Sequence, residues 1–275
     1  MKILITGGNG NIAKMIKNNL GFQYEMTNLT RSDLNILNQF DIEKYLLANS
    51  FDILVHTAIS GGRRTKEENG DVTHNNLLML ENLLKHADKF KMIINFDSGA
   101  IYDRNTDILN RKESDIYTIP SDYYGFSKYL IYQRSLQFNN MYNFRIFNIF
   151  HSNEEPDRFI KMCFNAKNNN LPVTIFEDKY FDFMYEDDFM KIVKYYFDNV
   201  SNPSKLLKTI NICYEKKYKL SEIAGLIIKN NEQIIIKNSD PFNKNYSGNN
   251  TLLKTLDIDI SNLEDSLQKF LIKLK

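Results

Sequence analysis

The sequence predicts an α/β protein, a doubly wound parallel sheet followed by a smaller C-terminal lobe. Three observations predict it. Short apolar runs alternate with longer amphipathic ones through the first 150 residues, the pattern of βαβ units with helices on both sheet faces. A glycine turn, "TGGNGNIA", separates the first run from the first helix. After about Phe150 the alternation loosens. The expected division is residues 1–150 for the sheet domain and 151–275 for the lobe, with segments interleaved between them.

Taken in order, "KILITG" reads as a strand and Asn11 to Asn19 as a helix. "YEMTNL" is a second strand, "QFDIEKYLLAN" has helical periodicity, and "FDILVHTA" is a third strand. The long helix "THNNLLMLENLLKHADKF" precedes a fourth strand, "KMIINFDS". A helix within "SDYYGFSKYL" and the strand "YNFRIFNIF" complete the first half. In the lobe, "PDRFIKMCFNAKN", "EDDFMKIVKYYFDNV", "LSEIAGLIIKN" and "LEDSLQKFLIKLK" read as helices, and "VTIF", "FDFMY" and "KTINIC" as short strands.

Composition excludes several classes. A formal net charge of +1 gives no general attraction for nucleic acid or an anionic membrane. No apolar run reaches the ~18 residues of a membrane span. The N-terminus meets glycine before an export-signal core could form, so a cytoplasmic protein is expected. Cys163 and Cys213 lack a CxxC partner and read as buried reduced thiols, and the four histidines show no zinc spacing.

In the glycine turn, Gly7 permits the tight bend, Gly10 lets a pyrophosphate approach the backbone, and Ala13 allows close helix–strand packing. Strand, glycine turn and helix N-terminus in that order predict a Rossmann-type dinucleotide site. An acid ending the second strand would hold a ribose 2′-hydroxyl. This strand ends in "NLTRSD", where Arg31 and Ser32 suit a 2′-phosphate and Asp33 comes late. NADP is the favoured cofactor and NAD the alternative.

Tyr124 and Lys128 lie four residues apart and so share a helix face. A lysine cation there favours the phenolate and draws the tyrosine pKa down from ~10. Ser98 ends the fourth strand, at the sheet's carboxyl edge, where its hydroxyl can hold a reacting oxygen. Ser98, Tyr124 and Lys128 are the candidate catalytic residues.

These features together resemble the extended short-chain dehydrogenase/reductase family, also called the NAD-dependent epimerase/dehydratase family, most of whose members act on nucleotide-activated sugars. The resemblance runs through "DSGAIYD", "YGFSK", "DILVHTA", "HNNLLMLEN", "FDFMYEDDF" and "TINICYEKKYKLSEIAGLI". "TRSDLNILN" and "HTAISGG" are most similar to its GDP-L-fucose synthase branch and related nucleotide-sugar 4-ketoreductases. The resemblance implies cofactor contacts from Gly7, Gly10, Asn11, Ile12, Arg31, Ser32, Asn35, Ala58, Asn76, Tyr124 and Lys128. It implies substrate contacts from Ser98, Asn148, Arg158, Lys179 and Asn249, and a homodimer.

Departures from the family narrow the reaction. Dehydratases follow the catalytic Ser/Thr with Asp and Glu; here Gly99 and Ala100 stand there and can neither give nor take a proton. GDP-L-fucose synthases carry a cysteine at Ala100 and a histidine within the stretch matching "EEPDRF"; both are missing, with His151 upstream the one substitute. Phe181 replaces the arginine that grips the diphosphate, leaving Lys179, Arg158 and Lys161 as candidates. The expectation is a reductase of a 4-keto, 6-deoxy nucleotide sugar, with hydride from nicotinamide and a proton from Tyr124. A 4-epimerase with tightly bound NAD is the enzyme alternative, and an NAD(P)-binding sensor the non-enzyme one.

Overall fold

The structure, a computed structural model, describes residues 1–63, 66–238, 240 and 243–273. The first half runs β1 (Lys2–Thr6), α1 (Asn11–Leu20), β2 (Glu25–Leu29), α2 (Gln39–Ala48), β3 (Ile53–His56), α3 (Gly70–Leu84), β4 (Met92–Ser98), β5 (Ile108–Arg111), α4 (Tyr123–Ser135) and β6 (Met141–Ile146). The second runs β7 (Ile149–Phe150), α5 (Phe159–Asn169), β8 (Val173–Ile175), β9 (Met184–Tyr185), α6 (Glu186–Asp198), β10 (Thr209–Ile212), α7 (Leu220–Ile228), β11 (Ile234–Ile236), β12 (Tyr246–Gly248) and α8 (Leu263–Lys273). The last two residues of the expected final helix lie outside the described residues.

Six strands form one parallel sheet in the order β10-β6-β4-β3-β1-β2. Its strands are apolar runs because both faces are covered. Ile3, Ile5, Ile53 and Val55 face a core shared with α1 and α6, whereas Leu4, Leu54 and Ile93 face one shared with α2 and α3. Alternate residues of a strand point to opposite faces, so one run feeds both layers. Each fully buried side chain of this kind contributes about 1.5–3 kcal/mol.

The chain order reverses between β1 and β3, which places a crevice beyond their carboxyl ends. Residues past 150 return to this sheet: β10 pairs with β6, and α6 packs against α1. Three further two-stranded parallel pairs form, β7–β9, β5–β12 and β8–β11, of which β7 and β12 bring Ile149 and Tyr246 to the crevice.

The strand expected over residues 181–185 is shortened to its last two residues. Asp182 leaves the ladder: its buried carboxylate accepts from Lys217 Nζ and from the Gly248 amide, each at 2.8 Å, and pins a corner instead. Strands β5, β11 and β12 have no counterpart in the sequence reading. They are three or four residues long and exist through pairing with distant segments.

Candidate active site

Gly7 adopts φ +72°, a conformation that L side chains resist, and a Cβ there would stand 2.7 Å from the Ala58 backbone. The turn closes through Gly10 N–H to the Gly7 carbonyl at 2.8 Å and Gly8 N–H to the Leu29 carbonyl at 2.8 Å. No side chain caps α1, and its first turn holds no acid. This is the chemistry a dinucleotide pyrophosphate needs: open amide donors, the positive end of a helix dipole and no competing carboxylate.

A cleft of about 570 Å³ opens at the carboxyl edge of the sheet. Of the residues expected at the site, Asn11, Ile12, Ala58, Ser98, Tyr124 and Lys128 line it, and Asn148, Arg158 and Lys179 line it too. Arg158 Nη2 donates to Asn148 Oδ1 at 3.4 Å, and Lys179 is paired with Glu177.

The remaining expected residues lie off its lining. Arg31 and Ser32 are exposed on the turn after β2, where Asp33 accepts from Thr30 N–H and Oγ1. Those hydrogen bonds hold the Asp33 carboxyl below its usual range. Asn35 is half-buried and accepts from Leu37 N–H at 3.3 Å. Asn249 braces the β5–β12 corner, donating to Asn110 and accepting from Thr251 N–H. Asn76 is fully buried: its amide binds both backbone groups of Ser60 and donates to Ser127 Oγ, which fixes the loop carrying Ala58.

Asp122 caps α4 by accepting from Gly125 N–H at 2.8 Å, which sets the helix that presents Tyr124 and Lys128. Tyr124 hydrogen-bonds Ser98, and Ser98 Oγ also meets Tyr246 Oη at 3.3 Å and accepts from Ala100 N–H. Lys128 Nζ donates to the Phe96 carbonyl at 2.5 Å and stands 5.5 Å from the Tyr124 ring centroid. Burial, with the neighbouring Tyr246, pushes the Tyr124 phenol up rather than down. Burial also lowers Lys128 to about 8, partly opposed by Asp97. The lysine therefore does not by itself make a phenolate. Burial favours the phenol of Tyr124, the form that can give a proton.

Behind Ser98 lies a fully buried ion pair. Asp97 and Arg145 stand opposite each other on β4 and β6, Arg145 Nε donating to Asp97 Oδ2 at 2.7 Å. Asp97 Oδ1 accepts from the Ser98 N–H at 2.8 Å, and Arg145 Nη1 donates to Tyr102 Oη and to the Glu113 carbonyl. The pair sets the backbone from which the Ser98 hydroxyl projects.

Sequence reading missed several of the residues gathered here. Glu68 accepts from Gly62 N–H at 2.5 Å and from Tyr124 N–H at 3.2 Å, tying the loop after β3 to α4. Gly62, at φ +91°, lies flat on the Tyr124 ring, where a Cβ would stand 3.0 Å away. Arg104 stacks over the same ring. At the other end His151 and Glu154 line the cleft, and burial raises the Glu154 carboxyl to about 7. Arg63 and Glu155 pair across two loops at 2.8 Å. Most of these sit on loops, where no periodicity marks them. His151 is the exception, named from the sequence as the one substitute for the family's histidine, and it does line the cleft. Among the described residues no group of three or more His, Cys, Asp or Glu is placed to hold a metal.

The model of the NAD dependent epimerase/dehydratase family matches residues 3–213. The chain belongs to that family. It is an NAD(P)-dependent oxidoreductase of the extended short-chain dehydrogenase/reductase type. The fold is similar to a dTDP-4-dehydrorhamnose reductase from Clostridium acetobutylicum, at 19% identity and a TM-score of 0.80, covering 100% of this chain and 99% of that one. It is also similar to a GDP-mannoheptose C4 reductase from Campylobacter jejuni with NADP bound, at 17% identity and TM-score 0.77, covering 99% and 97%. A UDP-N-acetylglucosamine 4-epimerase from Bacillus cereus matches at 20% identity and TM-score 0.75, covering 100% and 99%. No curated protein sequence matches the chain. No helix among the described residues is long and apolar enough to cross a membrane.

Proposed function

We propose that this enzyme modifies a nucleotide-activated sugar by reducing its 4-keto group. The observation that carries the reading is the gathering of Ser98, Tyr124 and Lys128 on one cleft at the carboxyl edge of the sheet, with Tyr124 hydrogen-bonded to Ser98. A nicotinamide held by Asn11, Ile12 and Ala58 would supply the hydride for the carbonyl carbon. Tyr124 gives its proton to the carbonyl oxygen, Ser98 holds that oxygen by a hydrogen bond, and Lys128 meets the charge left on the phenol.

Dehydration needs an acid and a base just after Ser98, and 3,5-epimerisation in this family uses a cysteine at the position of Ala100. Ala100 there is buried and backed by α4, where a Cβ on Gly125 would come within 2.8 Å of the Ala100 carbonyl. Asn11, Ile12 and Ala58 are the proposed cofactor contacts in the cleft, and Asn148, Arg158 and Lys179 the proposed substrate contacts. NADP is favoured because Arg31 is exposed, with no ion pair among the described residues, while Asp33 is taken up by Thr30.

Tyr124→Phe is expected to lower reduction by at least ~10²-fold while NADPH affinity stays within a factor of about three. Titration by NADPH fluorescence alongside initial rates with dTDP-4-keto-6-deoxyglucose and GDP-4-keto-6-deoxymannose checks this. A fully active phenylalanine variant would refute it.

A further inference from the structure

We propose that Arg104 is a positioning residue of the acid/base site, holding a guanidinium over Tyr124 that stabilises the phenolate formed as the proton leaves. The inference rests on Tyr124 being the acid. In the step concerned, the Tyr124 O–H bond breaks and its proton goes to the ketone oxygen. Hydride from the reduced nicotinamide goes to the carbonyl carbon, so the sugar is reduced and the nicotinamide oxidised. The negative charge left behind is on Tyr124.

Three features of the backbone and side chains bring Arg104 to that charge. Asp103 takes φ 66° and ψ 103°, a conformation costly for a residue with a Cβ. Its side chain accepts from Asn105 N–H at 3.0 Å and its carbonyl from Thr106 N–H at 2.9 Å, which holds the turn closed. The detour carries Arg104 back over the start of α4. There its Nε and Nη2 donate to the Asp122 carboxylate, at 3.3 and 2.5 Å. The guanidinium carbon stands 5.6 Å from the Tyr124 ring centroid, and the arginine side chain, 16% exposed, lines the same cleft.

The other groups facing Tyr124 leave this cation a distinct task. Lys128, at 5.5 Å, spends a proton on the Phe96 carbonyl. Asp97 is neutralised by Arg145, and Glu68 is spread over two backbone N–H groups. Tyr246 disfavours a second negative charge beside it. Asp122 divides its charge between Arg104 and the α4 N-terminus, so it offsets only part of the guanidinium charge that overlies the ring.

The test titrates Tyr124 directly. Protein labelled with ¹³Cζ-tyrosine is saturated with whichever of NADP⁺ or NAD⁺ it binds and followed by NMR from pH 7 to 11, the Tyr124 signal identified by its loss in Tyr124→Phe. Arg104→Met is expected to raise the Tyr124 midpoint by at least one pH unit, a tenfold weaker acid, and Arg104→Lys to recover part of that. Arg104→Gln, which keeps a hydrogen bond to Asp122, serves if the methionine variant does not fold. Equal midpoints in parent and variants, or a Tyr124 that stays a phenol throughout in all of them, would overturn the proposal. Loss of turnover in Tyr124→Phe bears on the reaction instead, so the two can fail separately.

Discussion

Lys128 has two duties that pull on its charge in opposite directions. Burial strips water from the ammonium and lowers it to about 8, while Asp97 favours the cation. Below that pH the cation can meet a developing phenolate; above it the side chain is neutral. Turnover is therefore expected to fall above about pH 8, and Lys128→Met to remove that limb at a loss of ~10²-fold. A pH–rate profile checks this; an unchanged limb in the variant would assign it elsewhere. Folding carries the matching signature. The unfolded lysine holds its proton up to about 10.5, the folded one only to about 8, so this group adds stability as pH rises between the two. Arg104 was beyond sequence reading for a reason of the same scale: a single positive-φ residue redirects it, and Asp103 looks like any loop aspartate.

Among the elements, β4 holds a charge inside a fully buried run. Its Asp97 faces Arg145 on β6 with neither side chain exposed to solvent, and Arg145 Nη2 has no partner among the described residues. Removing one member leaves a buried charge alone. Asp97→Asn is expected to cost about 3–5 kcal/mol by denaturant titration. Its Ser98 should also be misplaced, so that turnover falls further than the unfolded fraction explains. At the glycine turn, Gly7→Ala meets both a positive φ and the Ala58 backbone. It is expected to weaken dinucleotide binding by tenfold or more, read by NADPH titration, with Gly70→Ala, where a Cβ meets nothing, as the neutral control.

Long elements were legible in the sequence because β1, β3 and β4 are unbroken apolar runs and α1 directly follows the glycines. The return of β10 to the central sheet was not, since a four-residue strand does not announce its partner. The gathering of Ser98, Tyr124 and Lys128 on one cleft was readable because a helix period links Tyr124 to Lys128 and Ser98 ends a strand. Tyr246 reaches Ser98 across 148 positions, a proximity only the folded chain creates.

At the scale of the whole molecule, the cleft is a space between loops that leave different strands. The loop after β3 brings Gly62 and Arg63, the segment after β7 brings His151, Glu154 and Glu155, and β12 brings Tyr246. Arg63 and Glu155 tie two of these together with both side chains largely in water, 63% and 45% exposed. Arg63→Ala is expected to change KM for the sugar nucleotide by less than about fivefold with kcat unaffected, since such a pair is worth about 0–1 kcal/mol. Steady-state kinetics at two salt concentrations would show a larger role, if it has one.

That small figure says something about time. A link of about 0–1 kcal/mol is open between roughly a sixth and a half of the time by its own energy alone. A ligand arriving beside this link finds it open on a good share of its encounters. Entry then adds almost nothing to the duration of a catalytic cycle, and the slow interval falls to bond-making or to the product's departure.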